Sequence, residues 1–282
     1  MIALLGTGLL GSGFTRALLR QGEEVQVASR GYARAQALEA FGARAFTDFA
    51  EAVRGAARIH LTLSDDAAVD EVLERAGPGL VRGAVIIDHT TTSTAGAIAR
   101  TQRLRERGMT YVHAPVFMGP QNALESTGLM LISGEPALAE TLRLALEKMT
   151  GTLWYVGPRV EDAAAFKLLG NLFLMFLNTG LADLLGLAKA TGIAPADAAK
   201  LFQKFNPGAS AGVRLQRMLD AKFDDPSWEL GMARKDARLM LEEAEHAGVA
   251  LAVLPSIAAR MDALIGDGHG KSDWSVLGKD FL

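Results

Sequence analysis

Lys167 and Asn171 stand four residues apart where the chain turns strongly apolar. On a helix that spacing places both on one face, one turn apart, and Asn178 falls on nearly the same stripe. A polar seam then runs along a greasy helix. An ammonium among Phe166, Leu168, Leu169 and Leu172 is costly to bury unless it meets partners or faces a wet cleft. Partial desolvation lowers a lysine pKa from its ordinary value of about 10.4, which brings proton exchange towards neutral pH. Spacing alone equally admits a lysine that snorkels to the surface, with Asn171 satisfying a helix contact.

A second constellation opens the chain. Strand-like Ile2 to Leu5 runs into Gly6-Thr7-Gly8-Leu9-Leu10-Gly11, which opens an amphipathic helix, and Glu24 to Ala28 follows as a second strand ending at Ser29-Arg30. In that context a G-x-G-x-x-G pattern is a dinucleotide fingerprint. Gly6 permits a tight turn, Gly8 leaves room for a pyrophosphate against bare backbone, and Gly11 lets helix and strand pack closely. The helix N-terminus offers free N–H groups to the phosphates. An acidic residue at the end of the second strand would accept from the ribose hydroxyls. Ser29 and Arg30 are donors instead and suit a 2′-phosphate, so the reading is NADP(H) over NAD(H), with a solvated surface arginine as the bland alternative.

These residues need a frame. Further strands are expected at Arg44 to Phe46, Ile59 to Leu63, Ala84 to Asp88, Thr110 to Pro115, Leu129 to Ser133 and Leu153 to Val156, with helical patterns between most of them. Such alternation predicts an α/β domain at 1–157 with the Rossmann arrangement, a mostly parallel doubly wound sheet. Ligands then sit at the carboxyl ends of the strands, where Leu63 and Ser64 are expected beside the cofactor. Beyond Gly157-Pro158 only helical runs remain, which predicts an all-α domain at 158–282 opening with a long interdomain helix from Glu161 to Ala190.

Composition narrows the classes. With 282 residues and 49% hydrophobic content the chain can bury a large core. A formal charge of −3, from 29 basic and 32 acidic residues, offers no field for nucleic acid or an anionic membrane, so neither is expected as a partner. The chain has no cysteine, which excludes disulfides and thiolate metal sites and fits a reducing cytoplasm. No signal peptide is expected, because the first apolar residues already serve as a strand. The most apolar stretch, Leu168 to Ala182, holds 15 residues, two asparagines and two glycines, and reads as a buried helix rather than a membrane span. His60, His89, His113, His246 and His269 show no spacing that marks a metal site, and no metal is expected. His89, after the fifth strand, is the one histidine with a claim on the substrate.

Taken in order, these blocks resemble the β-hydroxyacid dehydrogenases, which include 3-hydroxyisobutyrate and tartronate semialdehyde dehydrogenases. Gly6 to Gly11 is similar to the family's cofactor fingerprint and Ser29-Arg30 to the Asn-Arg of NADP-preferring members. Asp88-His89-Thr90-Thr91 resembles an Asp-x-Ser-Thr segment, which implies that the hydroxyls of Thr90 and Thr91 lie near the nicotinamide. Lys167-x-x-x-Asn171 resembles the catalytic lysine and its companion, Lys235-Asp236 a pair whose lysine reaches the cofactor, and Asp273-Trp274-Ser275 an Asp-x-Ser ending. The resemblance implies hydride transfer between NADP(H) and a small hydroxy acid, semialdehyde or related carbonyl in the cleft between the domains. Lys167 would be proton donor or acceptor, and the chain a homo-oligomer, dimer or tetramer.

Two departures qualify the substrate. The family's Pro-Val-Ser-Gly-Gly is here Pro115-Val116-Phe117-Met118-Gly119-Pro120-Gln121-Asn122. A hydroxyl and a glycine are lost, Phe117 and Met118 narrow and grease the pocket, and Gln121 and Asn122 offer replacement donors around Gly119. Before Lys167 the family's glycines are replaced by Glu161-Asp162-Ala163-Ala164-Ala165. Two alternatives stay open: an imine reductase, towards which Phe117 and Met118 lean while Lys167 leans back, and a dinucleotide-binding module without catalysis.

Overall fold

Short aliphatic runs alternate with amphipathic stretches over the first half of the chain, and the runs become strands buried on both faces. In the computed structural model, which describes all 282 residues, β1 (Ile2–Leu5) leads into α1 (Leu9–Arg20), and β2 (Val25–Ala28) into α2 (Tyr32–Gln36). Next come β3 (Arg44–Phe46), α3 (Phe49–Val53), β4 (Arg58–Leu61), α4 (Asp66–Ala76), β5 (Val85–Asp88), α5 (Thr94–Glu106) and β6 (Thr110–His113). The six strands form one parallel sheet in the order β3-β2-β1-β4-β5-β6. Leu4, Phe14, Val27, Ile87 and Val112 pack one face, and Leu5, Phe49, Ile59, Leu61 and Ile86 the other. Strand order reverses between β1 and β4, the point in such sheets where a crevice opens at the carboxyl ends.

Two of the expected strands, Leu129 to Ser133 and Leu153 to Val156, fall outside this sheet. β7 (Val116–Phe117) follows β6 after a break, then α6 (Pro120–Glu125), β8 (Leu129–Ser133), α7 (Pro136–Glu147) and β9 (Thr152–Gly157). β7, β8 and β9 make a separate three-stranded sheet in which β7 runs antiparallel to β8. The strand expected over Thr110 to Pro115 ends at His113 because Pro115 has no N–H for the ladder. Its carbonyl instead accepts from the Leu131 amide, 2.9 Å away, and starts the second sheet.

The chain divides into two compact units, Met1–Asn171 and Leu172–Leu282. The boundary expected at 157/158 marks the end of β9. The first unit reaches further because α8 (Asp162–Ala190) begins inside it: Ala163 and Ala164 are fully buried, and the Ala163 amide donates to Ser133 Oγ at 3.0 Å. The second unit holds α9 (Pro195–Ala199), α10 (Ala211–Leu219), α11 (Leu230–His246) and α12 (Leu254–Gly266). Its core gathers Leu230, Ala237, Met261, Leu264 and Val276. Buried Asp273 accepts from the Ser227 and Ser275 amides, and Asp183 accepts from the amides of Ala252, Val253 and Leu254, where α12 begins.

The stretch Leu168 to Ala182, expected as a buried helix, is largely exposed in the single chain. Leu169, Phe173, Met175 and Phe176 show 61%, 59%, 66% and 57% of their surface. Length and composition alone would let α8 cross a bilayer, at a mean hydropathy of 1.5. Its two ends, however, are built into folded units. The 15 residues between them span about 22 Å, short of the ~30 Å hydrocarbon layer.

Candidate functional site

The fingerprint occupies the turn between β1 and α1, at the strand-order reversal. Gly6 takes φ +100°, a left-handed conformation that favours glycine. A Cβ at Gly11 would overlap the Gly6 carbonyl and the Thr62 hydroxyl, whereas one at Gly8 would meet no atom within 4 Å. Thus Gly6 and Gly11 are required by the fold, and Gly8 keeps open space in front of the α1 N-terminus. No side chain caps that terminus, so its first-turn amides stay available to a ligand.

Beside this turn lies a cavity of about 500 Å³, lined by Gly6, Thr7, Gly8, Ser29, Arg30, Gly31, Arg34 and the Thr62–Ser64 segment. It contains two guanidiniums and no carboxylate. Ser29 is not the free donor the sequence led us to expect: its hydroxyl accepts from Thr7 Oγ1 at 2.8 Å and donates to the Gly31 carbonyl at 2.9 Å. Arg34, in the first turn of α2, lines the same cavity as Arg30, and the sequence reading stopped at Arg30. The arginines, the open space at Gly8 and the uncapped helix fit a phosphorylated dinucleotide.

On the other side of Gly8 a second cavity, of about 310 Å³, is lined by Gly8 to Gly11, Thr62, Leu63, His89 to Thr91, Val116, Met118 and Lys167. Residues more than 150 positions apart in sequence therefore share one wall. Thr90 is pinned on three sides. Its amide donates to Asp88 Oδ1 (2.9 Å), its carbonyl accepts from His113 Nε2 (2.8 Å), and its hydroxyl accepts from the Leu63 amide (3.0 Å). With a lone pair engaged, the Thr90 hydroxyl keeps its proton to donate elsewhere. Ser93, further along the same hydroxyl-rich run, caps α5 through the Gly96 amide.

His89 is buried rather than presented on a loop. Its Nδ1 lies 2.7 Å from the Ala114 carbonyl, which can only accept, so Nδ1 carries the proton and Nε2 accepts from His60 Nδ1 at 2.9 Å. Burial pushes His89 down to about 4 and His60 and His113 below their ordinary value. Three neutral imidazoles thus tie the ends of β4, β5 and β6 together behind the cavity wall.

Lys167 enters the cavity from the second turn of α8 and is 8% exposed. Its Nζ donates to Asn171 Oδ1 at 3.0 Å and lies 4.1 Å from the centre of the Phe117 ring. No carboxylate pairs with it, and burial lowers its pKa from 10.5. Phe117 in turn packs on Gly170, where any Cβ would overlap the ring. The alternative of a snorkelling lysine is excluded. On this helix Lys167 is turned inward together with Ala163 and Ala164, and Leu168 and Leu169 face out.

Gln121 and Asn122 do not line this cavity. The Gln121 amide donates to Glu125 on the exposed face of α6, and Asn122 accepts from the Gly119 amide (2.9 Å) and donates to Thr127 Oγ1 (2.9 Å). Lys235, in the second unit, pairs with Asp236 at 2.7 Å. Asn178 is exposed.

Comparison with known proteins agrees with this architecture. Residues 1–157 match the family model described as the NAD binding domain of 6-phosphogluconate dehydrogenase. The 2-(hydroxymethyl)glutarate dehydrogenase of Eubacterium barkeri is 24% identical over 282 residues, covering 98% of this chain and 93% of that protein. Among solved structures, the imine reductase from Myxococcus stipitatus in complex with NADP+ shares the fold at a TM-score of 0.93 and 21% identity, covering 100% of both chains. Its V8 variant in complex with NAD+ gives a TM-score of 0.89 at 21% identity over 100% of this chain and 99% of that one. The match to the family model takes in more than half of the sequence, and the chain belongs to the oxidoreductases built on the NAD-binding domain of 6-phosphogluconate dehydrogenase.

Proposed function

We propose that this chain transfers hydride between NADP(H) and the carbonyl or alcohol carbon of a small organic substrate, with Lys167 exchanging a proton with the substrate oxygen. One observation carries the reading: a buried ammonium with no counter-ion lines the same cavity as Gly8 to Gly11 and the pinned Thr90. When bound, the nicotinamide supplies or accepts the hydride. Lys167 gives its proton to the nascent alkoxide in reduction and takes the hydroxyl proton in oxidation. Asn171 holds the ammonium in place, and the remaining positive charge steadies the oxygen as it gains electrons. Arg30 and Arg34, with no acidic neighbour in their cavity, support a 2′-phosphate and hence NADP(H).

A second reading, reduction of imines, is favoured by Phe117 and Met118 beside the lysine and by the fold shared with imine reductases. Oxidation of NADPH followed against aldehydes, ketones and cyclic imines tests both. Carbonyl turnover supports the first reading and imine turnover the second. Turnover of neither, in protein shown to bind NADPH, would leave a dinucleotide-binding module.

We further propose that the chain works as a homo-oligomer, dimer or tetramer. The apolar outward surface of α8 supports this, since a monomer leaving Phe173, Met175 and Phe176 in water carries a large unpaired patch.

A further inference from the structure

A buried polar network runs behind the wall of the Lys167 cavity. Asp88, at the end of β5, is fully buried and divides its oxygens. Oδ1 accepts from the Thr90 amide at 2.9 Å, and Oδ2 from the Tyr111 hydroxyl at 2.7 Å. Tyr111, on β6, accepts in turn from Arg100 Nε at 3.0 Å. Burial and the Asp88 carboxylate push the tyrosine hydroxyl up, so it stays protonated and remains the donor to Asp88. The Arg100 guanidinium, 1% exposed, reaches Asp66 at 2.6 Å where α4 begins, and Asp66 Oδ2 accepts from the Ser93 amide at 2.8 Å. The segment from Thr90 to Ser93 is thus held at both ends by one chain of charge-assisted bonds, running from Asp88 through Tyr111 and Arg100 to Asp66. Gly96 keeps the passage open, since a Cβ there would overlap both Asp66 and Arg100.

Resting on the oxidoreductase reading, in which the Lys167 cavity receives the nicotinamide, we propose that Tyr111 and Arg100 are positioning residues for the coenzyme. Through Asp88 they fix Thr90 so that its hydroxyl donates to the nicotinamide end of bound NADP(H). Thr90 lines that cavity together with Gly8 and Lys167, and its hydroxyl already accepts from the Leu63 amide, which leaves its proton for the occupant. Tying β5, β6 and α5 together does not require such a network, because apolar side chains of similar size hold elements as well as buried ions do. What the ions add is direction. A carboxylate oxygen on the Thr90 amide sets where that residue points, and a buried network whose members are paired resists displacement.

The test separates the two halves of the coenzyme. Dissociation constants are measured on the whole protein for NADPH, by fluorescence, and for 2′-phospho-ADP-ribose, which lacks the nicotinamide, by calorimetry. Tyr111→Phe should weaken NADPH binding by about three- to tenfold, the worth of one hydrogen bond, and leave the fragment unchanged. A tyrosine that only supports the fold would affect both ligands alike. Because Tyr111 acts through Thr90, Tyr111→Phe combined with Thr90→Val should lose no more NADPH affinity than Thr90→Val alone. Arg100→Gln removes the charge behind the tyrosine, should show the same selective loss, and takes the place of Tyr111→Phe if that variant does not fold. Equal losses for NADPH and the fragment, no loss for either, or additive losses in the double variant overturn the inference. Wild-type protein that binds NADPH but reduces no carbonyl or imine ends the oxidoreductase reading alone, and the binding comparison still decides the role of Tyr111. Wild-type protein that binds no NADPH removes both.

Discussion

At the scale of single residues the molecule turns on Lys167, an amine held by an amide oxygen and an aromatic face with no counter-ion. Lys167→Ala should lower turnover by about 10²- to 10⁴-fold, the usual contribution of a positioned proton donor. Affinity for NADPH, measured by fluorescence titration, should barely change. Because burial lowers the pKa of this ammonium, reduction should fade as pH rises through a value below 10.5, where the donor loses its proton. Oxidation, which needs the free amine, should rise over the same window. At the other end of the groove, Arg30→Ala and Arg34→Ala should each weaken NADPH binding by roughly tenfold and leave NADH binding unchanged, the difference of one charge-assisted contact. Equal losses for both coenzymes would remove the 2′-phosphate from the argument. The turn at Gly6 to Gly11 and the contact of Lys167 with Asn171 were legible, because a glycine pattern between strand and helix and a four-residue helical spacing define them, whereas the inward direction of Lys167 was not. The engagement of Ser29 with Thr7 and Gly31, and of Asn122 with Gly119, was not, because a donor's availability depends on neighbours that only the folded chain supplies.

At the scale of elements, the turn from β1 to α1 separates what the fold needs from what the ligand needs. Gly11→Ala pushes a methyl group into the Gly6 carbonyl and Thr62, and should cost about 1 to 3 kcal/mol in denaturant unfolding. Gly8→Ala meets nothing in the folded chain and should unfold like the wild type, yet bind NADPH far more weakly, because its methyl group stands where the pyrophosphate would pass. The junction of β5 with α5 is held differently, by neutral imidazoles. As pH falls below 6.5 the unfolded chain takes up protons that His89, held near 4 by burial, refuses. Stability should therefore be complete above about 6.5 and drain towards pH 4, losing roughly 2 kcal/mol by pH 5 from this ring alone. His60 and His113 shift the same way and deepen the loss. Unfolding free energies at pH 7 and 5 check the slope, and His89→Asn should flatten it. Most strands and long helices could be read from periodicity. The short α3, α6 and β7 could not, since elements of six residues or fewer hold too little pattern, and the end of β6 was set by Pro115 through pairing across a second sheet.

At the scale of the whole molecule the decisive feature is the reversed polarity of α8. Its early turns bury a lysine and expose leucines, the opposite of a helix that packs its apolar face inward. Composition predicts the apolar stretch as core, yet most of its large side chains stand exposed in the single chain. Water is a poor solvent for that surface: each exposed Leu, Met or Phe side chain gains about 1.5 to 3 kcal/mol when fully buried. Association of copies recovers this without cost to the polar seam, because Lys167 and Asn171 are already turned away from the apolar side. Light scattering on the purified protein should thus report a dimer or tetramer at micromolar concentration. Replacing Phe173 and Phe176 together by Glu puts two charges into the contact at exposed positions that line neither cavity, and should yield monomers that keep the wild-type affinity for NADPH. A wild-type protein that stays monomeric would mean that α8 meets some other apolar partner, and the proposed assembly of identical copies would fall.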